Sequence, residues 1–239
     1  MSAADDSPEV LTIRYQFDFP NGSRKNFAIA LDGKNLQLVP EKKEQFPDWA
    51  KLSYFKCANC PLSEQTQPYC PAAASIAGPA EEFSKMLSYE EVAVTIETEA
   101  RHYTKQTTVQ KGLSSLVGLY MVTSGCPIMG KLRPMVRHHL PFANLAETVY
   151  RVISMYLLAQ YLIARRGKEP DWKLEKLAEL YKDIHTVNTH FSQRLLHVVE
   201  GDANLNALAI LDIFAQTVSF AIDEQMMETL EQVFQPYLE

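Results

Sequence analysis

Four cysteines are the residues of this sequence whose type and spacing best suit a chemical role: Cys57, Cys60, Cys70 and Cys126. Two residues separate Cys57 from Cys60, and this spacing lets one turn of backbone present both sulfurs to a single ion. Cys70 follows in the same loop-like segment, and Cys126 lies much further along the chain. A site built from all four would join distant parts of the chain, so that metal binding would contribute free energy to folding.

The residues beside the cysteines indicate which cofactor such a site would hold. Cys60, Cys70 and Cys126 are each followed by proline, which stiffens the backbone next to a ligand. Cys-Pro steps occur beside ferredoxin-type clusters as well as in zinc knuckles. We therefore expect Zn²⁺ in a structural four-cysteine site, with a 4Fe-4S cluster as the alternative. Unliganded thiols, or a redox-active dithiol at Cys57 and Cys60, are the remaining interpretations.

Two histidines offer a variant of the site. His138 and His139 follow Cys126 closely enough to replace one cysteine in a site of three cysteines and one histidine. Adjacent histidines are more often ordinary surface or half-buried side chains, so the four-cysteine set is preferred.

A basic segment follows Cys126 in a chain whose net charge is −6. Its cationic side chains are Lys131, Arg133, Arg137 and His138. Because arginine binds carboxylate or phosphate with two parallel hydrogen bonds, the segment suggests a site for a small anion or an acidic partner. The alternative is internal pairing with the excess of Asp and Glu.

The N-terminal half has the pattern of β-structure. Apolar residues alternate with polar ones over 11–19 and again over 27–31, with turn residues Pro20–Ser23 between, which predicts a β-hairpin. The other elements predicted in this half are a short strand at 36–39, a solvated connection at 40–48, a short helix from Pro79 to Leu87 and a second hairpin over 92–109.

The C-terminal half has helical periodicity. A helix is predicted over 109–124, and a capping box of Asn144 and Glu147 opens another that ends near 165–167. Asp171 caps the next helix, in which apolar residues recur at heptad-like steps from 174 to 198. This stripe suits an internal bundle or a dimer equally well. A last helix is expected from its cap at Asn204 to about Phe234.

The fold class that these patterns predict is α+β. Residues 1–108 form a β-rich part with a cysteine loop, and residues 109–239 form an antiparallel helical bundle, or the two make one integrated domain. The composition, 46% hydrophobic and 22% charged, is that of a globular protein. The net acidity argues against nucleic-acid binding. The N-terminus has no signal-peptide pattern and no segment reads as a membrane span, so a cytoplasmic protein is expected.

The most distinctive stretches resemble an uncharacterised bacterial family known only as a domain of unknown function. They are YFKCANCPLSEQTQPYCPAAASIA, then KGLSSLVGLYMVTSGCPIMGKLRPMVRHHLPFA and VISMYLLAQYLIARRG. The resemblance covers roughly residues 10–195. It implies a bacterial source, but it supplies no catalytic residues.

We expect a scaffold or regulatory protein whose fold is joined by a structural metal site, rather than an enzyme. It would contact a protein partner, or a second copy of itself, through its helices or its basic segment. An iron–sulfur redox or sensor protein is the alternative. A weaker third hypothesis is a metalloenzyme with an open coordination position near the basic segment 131–139.

Overall fold

A four-stranded antiparallel sheet is built by the N-terminal half of the chain, and helices follow, so the fold is α+β as predicted. The computed structural model describes residues 10–39, 45–221 and 224–239. The strands are β1 Val10–Asp18, β2 Arg24–Asp32, β3 Glu91–Glu97 and β4 His102–Thr108. They lie in the order β2-β1-β3-β4, which confirms both predicted hairpins.

The predicted alternation places one face of the sheet in the core. Tyr15 lies opposite Phe27 on β2 and opposite Ile96 on β3. The turn between β1 and β2 uses Gly22 at φ 84°, a conformation that glycine adopts without steric cost. The buried side chains of this face are Ile13, Tyr15, Phe17, Ile29, Leu31, Val92, Val94 and Ile96.

The described residues form six α-helices, which surround or extend from this sheet. They are α1 Pro71–Glu82, α2 Val109–Thr123, α3 Leu145–Arg165, α4 Glu175–Leu196, α5 Ala203–Ala221 and α6 Glu224–Leu238. Two 3-10 helices cover Asp48–Ala50 and Met129–His138. None of the helices in the described part of the chain combines the length and hydropathy that crossing a membrane requires.

The predicted helix caps are largely confirmed. Asn144 and Glu147 form a reciprocal capping box at the start of α3. The Asp171 carboxylate accepts hydrogen bonds from the N–H groups of Glu175 and Lys176, at 3.3 and 2.8 Å, where α4 begins.

The heptad-like stripe of α4 packs against other helices of the same chain. Leu177, Ile184, Asn188 and Phe191 are all buried, and α5 packs along α4. Helix α5 also packs against α2, which in turn covers the sheet. The stripe therefore builds the intramolecular bundle.

Two predictions in the N-terminal half are wrong. The helix expected from Pro79 begins instead at Pro71, directly after Cys70, and contains Pro79. Pro71 suits the first turn because the missing N–H needs no partner there, and the alanine-rich run that follows favours helix. The strand expected at 36–39 is reduced to a single bridge between Leu31 and Leu38, because Leu36 adopts a left-handed φ of 60°.

The prediction of a single last helix is also wrong. The structure has α5 and α6 on either side of residues 222–223. Asn204 lies inside the first turn of α5, where its side-chain amide donates to the Ala80 carbonyl at 3.1 Å instead of capping the helix. Most of the predicted connection at 40–48, residues 40–44, lies outside the described residues.

Gly112 allows α2 to pack closely on the sheet. A Cβ atom there would lie 2.8 Å from side-chain carbons of both Phe17 and Val94. We expect Gly112→Ala to lower the free energy of unfolding by about 1–3 kcal/mol, because the helix or both side chains must shift. Urea denaturation measures this loss. Gly130→Ala is the matched control, since nothing lies within 4 Å of its Cβ position, and an equal loss in both variants would contradict the packing explanation.

Candidate functional site

Backbone pairing closes the cysteine loop (residues 51–70) at its base. The Leu52 N–H donates to the Pro68 carbonyl at 2.8 Å, and the Cys70 N–H donates to the Ala50 carbonyl at 2.8 Å. Lys51 and Tyr69 also form an antiparallel bridge. These bonds place the loop next to the start of α1, with Cys70 at the junction.

The pair Cys57 and Cys60 sits in a tight turn of this loop. The Cys60 N–H donates to the Cys57 carbonyl at 3.0 Å. Asn59, inside the turn, donates from its side-chain amide to the carbonyl and the carboxylate of Asp183 on α4, at 3.0 Å each. The turn is therefore attached directly to the helical part.

Cys126 lies just after α2 with its thiol held by backbone N–H groups. Its own N–H donates to the Ser124 hydroxyl at 3.2 Å. Burial raises the pKa of the Cys126 thiol, and hydrogen bonds from the N–H groups of Met129 and Ile128 act against that rise. Such N–H donors favour the thiolate, the form that binds a metal.

The four predicted cysteines lie near enough to one another for their charges to interact. Burial raises the pKa of the Cys57 thiol to about 12, and Cys70, Cys60 and Cys126 each add to the rise because their charges lie nearby. All four are free thiols. As the side chains stand, the described residues contain no three His, Cys, Asp or Glu groups close enough together to hold one ion.

A buried arginine lies beside the thiols. Arg194 of α4 is only 1% exposed. Its guanidinium donates to the carbonyls of Trp49 and Lys51, at 2.5 and 2.8 Å, and more weakly to that of Phe55 at 3.4 Å. Within the described residues no carboxylate pairs with it. The charges that act on it belong to Cys70, Cys57, Tyr54 and Cys60.

The predicted basic segment lies on the 3-10 helix Met129–His138. The side chains of Lys131, Arg137 and His138 are exposed, and that of Arg133 is half-buried. None of the four forms an ion pair with a carboxylate of the described chain. The positive charges of Lys131 and Arg137 are therefore left open to solvent.

A cavity of about 440 Å³ opens between β4, α2, α3, α5 and this 3-10 helix. Lys105, Lys111 and Arg151 line it, and no Asp or Glu is among the described residues that do so. Much of its wall is apolar, including Leu119, Val122, Leu211 and Phe214. Lys131, Arg133, Arg137 and His138 do not line it, but His139 does.

His139 lines this cavity and is hydrogen-bonded there. The Tyr15 hydroxyl forms hydrogen bonds with the His139 Nε2 atom at 2.5 Å and with the Ser115 hydroxyl at 2.9 Å. Burial, and then the charge of Arg151, lower the pKa of His139 to about 4. The ring is therefore neutral at pH 7, and its Nε2 atom is already engaged by Tyr15 rather than by the cysteines.

The depressed pKa of His139 predicts acid sensitivity. In the unfolded chain this histidine takes up a proton near pH 6.5, whereas in the folded chain it does so only near pH 4. Its contribution to stability is complete above pH 6.5 and falls towards pH 4 at up to about 1.4 kcal/mol per pH unit. Urea denaturation at several pH values checks this. His139→Gln should flatten the slope in that window, and an unchanged slope would contradict the assignment.

Sequence reasoning did not identify Arg194 or the cavity cations Lys105, Lys111 and Arg151. Arg194 follows the stripe residue Phe191 by three positions, so it lies on the same helix face. A charged residue on an apolar face was the available signal. The cavity residues come from separate elements, and only the tertiary fold brings them together.

Comparison with curated proteins finds no match, and comparison with solved structures finds none. One family profile, described as a domain of unknown function (DUF6901), matches residues 13–235. The matched region includes the cysteine loop, the sheet from Ile13 onward and the helices as far as Gln235. The predicted resemblance to an uncharacterised family is thereby confirmed, and the chain belongs to the domain-of-unknown-function family DUF6901.

Proposed function

We propose that this protein binds one metal ion through Cys57, Cys60, Cys70 and Cys126, with Zn²⁺ as the first choice. The observation that carries the proposal is that four thiols lie near one another and that three of them, Cys57, Cys60 and Cys70, lie near the buried Arg194, with which no carboxylate of the described residues pairs. The metal would join the cysteine loop to the ends of two helices. Its role would be structural.

Charge balance supports a metal–thiolate centre at this place. A buried cation is costly unless an opposite charge compensates it. Zn²⁺ binding to four thiols, with release of their four protons, gives a centre of net charge −2 (+2 for the ion and −1 for each of the four thiolates). That centre would supply the counter-charge that Arg194 otherwise lacks.

Metal binding would require the cysteine side chains to rotate towards one ion. Rotation about χ1 between staggered positions moves a cysteine sulfur by roughly 3 Å without moving the backbone. The C-x2-C turn and the N–H groups that hold Cys126 are already formed. A metal ion would thus draw together side chains that neighbouring backbone already positions.

A 4Fe-4S cluster is the alternative occupant. With four thiolates it would satisfy the same counter-charge argument, and Cys-Pro steps also occur beside such clusters. That occupant would favour a redox or sensor protein. A closed set of four thiolates leaves no position for substrate, which argues for a scaffold over a metalloenzyme. The exposed cations Lys131 and Arg137, with the exposed imidazole of His138 beside them, support contact with an acidic partner.

Metal analysis of protein purified without oxygen tests the proposal. We expect about one zinc per chain, or iron with acid-labile sulfide and absorbance near 400 nm for the cluster. Cys57→Ser and Cys126→Ser should each lose most of the metal. His138→Ala is the control, because it should retain metal if the ligands are the four cysteines. A wild-type protein with neither metal, or cysteine variants with unchanged metal content, would overturn the proposal.

A further inference from the structure

The cavity between α2, α3 and α5 combines positive charge with an apolar wall. Its cationic groups come from three elements: Lys105 from β4, Lys111 from α2 and Arg151 from α3. In a chain of net charge −6, a cavity lined by cations without a described acidic group is not expected from composition alone. This arrangement attracts anions.

Arg151 keeps hydrogen-bonding capacity for a ligand. Its Nη2 atom donates to the carbonyls of Met135 and His138, at 3.0 and 3.1 Å, which fixes the side chain in place. Its Nη1 and Nε atoms donate to no described residue. Glu147 is the carboxylate whose charge acts on Arg151; it is exposed, it accepts a hydrogen bond from the N–H of Asn144 at 2.8 Å, and it does not line the cavity.

The lysines are also without acidic partners. Neither Lys105 nor Lys111 pairs with a carboxylate of the described chain, and Lys105 lies 5.7 Å from the centre of the Phe142 ring. His139 and Tyr15 satisfy one another, so neither group adds a negative charge at pH 7. The cavity thus offers three cationic side chains to an incoming anion.

The rest of the wall determines what the anion must carry. Apolar side chains from α2, α5, the 3-10 helix and the segment after it face the cavity: Leu119, Val122, Met135, Leu140, Leu211 and Phe214. A fully hydrated inorganic ion would leave these apolar side chains in contact with water. A volume of about 440 Å³ falls within the range of small-molecule sites.

We infer that this cavity binds a small amphipathic anion, a carboxylate or phosphate head group on an apolar body. Arg151, Lys105 and Lys111 bind the head group, and the walls from α2 and α5 cover the body. The inference rests on the cavity alone and is independent of the cysteine centre.

Isothermal titration calorimetry with octanoate, octyl phosphate and octan-1-ol tests the inference. At least one of the two anions should bind one-to-one with a Kd below about 1 mM. Octan-1-ol, which has the same apolar chain without the charge, should bind at least about tenfold more weakly. The anion that binds more tightly shows whether the site prefers a carboxylate or a phosphate head group.

A charge-reversal pair locates the binding site. The double variant Lys105→Glu/Lys111→Glu should weaken the anion at least about tenfold, while Lys34→Glu/Lys173→Glu, with the same change of net charge at exposed positions, should not. Thermal melting confirms that both variants fold. Equal binding of octan-1-ol, no binding by either anion, or equal weakening in the control variant would overturn the inference.

Discussion

Replacing Arg194 with methionine is expected to lower the free energy of unfolding by about 2–4 kcal/mol, because two buried carbonyls lose their donor. The guanidinium is buried and holds the carbonyls of Trp49 and Lys51 at the base of the cysteine loop. Methionine fills similar space but leaves these acceptors without a donor. Urea denaturation with an unchanged m-value measures the loss.

The same variant should also weaken metal binding. Residues that support metal ligands without touching the ion contribute about 10–100-fold to affinity. Competition with a coloured zinc chelator should therefore show a weaker zinc affinity in Arg194→Met. Arg194→Lys retains the charge but not the planar fork. It should therefore lose less zinc affinity than Arg194→Met does, while its free energy of unfolding is still lowered.

Lys182→Met is the matched control for the arginine variants. Lys182 is an exposed cation on the same helix, so its replacement should change stability by less than about 0.5 kcal/mol. A loss below about 1 kcal/mol in Arg194→Met would contradict the role given to the buried arginine.

Removing the proposed metal ligand Cys126 is the second large expected effect. Cys126→Ser should lower the Tm by about 10 °C, because structural zinc contributes several kcal/mol and each kcal/mol shifts the Tm of a chain this size by about 2–4 °C. Differential scanning calorimetry measures the shift. Among the four cysteines, Cys126 has the largest expected effect, because it is the one that lies at the end of α2 rather than in the cysteine loop.

A chelator separates loss of metal from loss of packing. Wild-type protein should lose a similar amount of Tm when treated with a strong zinc chelator, and Cys126→Ser should show no further loss. If the variant and the wild type respond equally to the chelator, Cys126 is not a ligand.

Much of the fold could be predicted because its patterns are local. The period of two over β1 and β2, and the capping box of α3, depend on residues close in sequence. The errors arose where local signals compete. Pro71 and Pro79 both suit a helix start, and Leu36 takes a left-handed conformation that its residue type does not favour.

The site could be predicted only in part. Cysteine is rare enough, and Cys57 and Cys60 close enough, for a metal site to be suggested by residue type. Arg194 could not be assigned a role, because its partners lie more than a hundred positions earlier in the chain. The cavity cations were missed for the same reason. The basic segment that the sequence favoured contributes His139 but not its arginines to that cavity.

X-ray absorption spectroscopy at the zinc edge tests the central claim most directly. We expect four sulfur atoms bound to the zinc at about 2.3 Å in wild-type protein. Iron with sulfur ligands at the iron edge would identify the cluster in place of zinc. A protein that binds neither metal, or a zinc shell made of nitrogen and oxygen atoms, would contradict the four-cysteine centre.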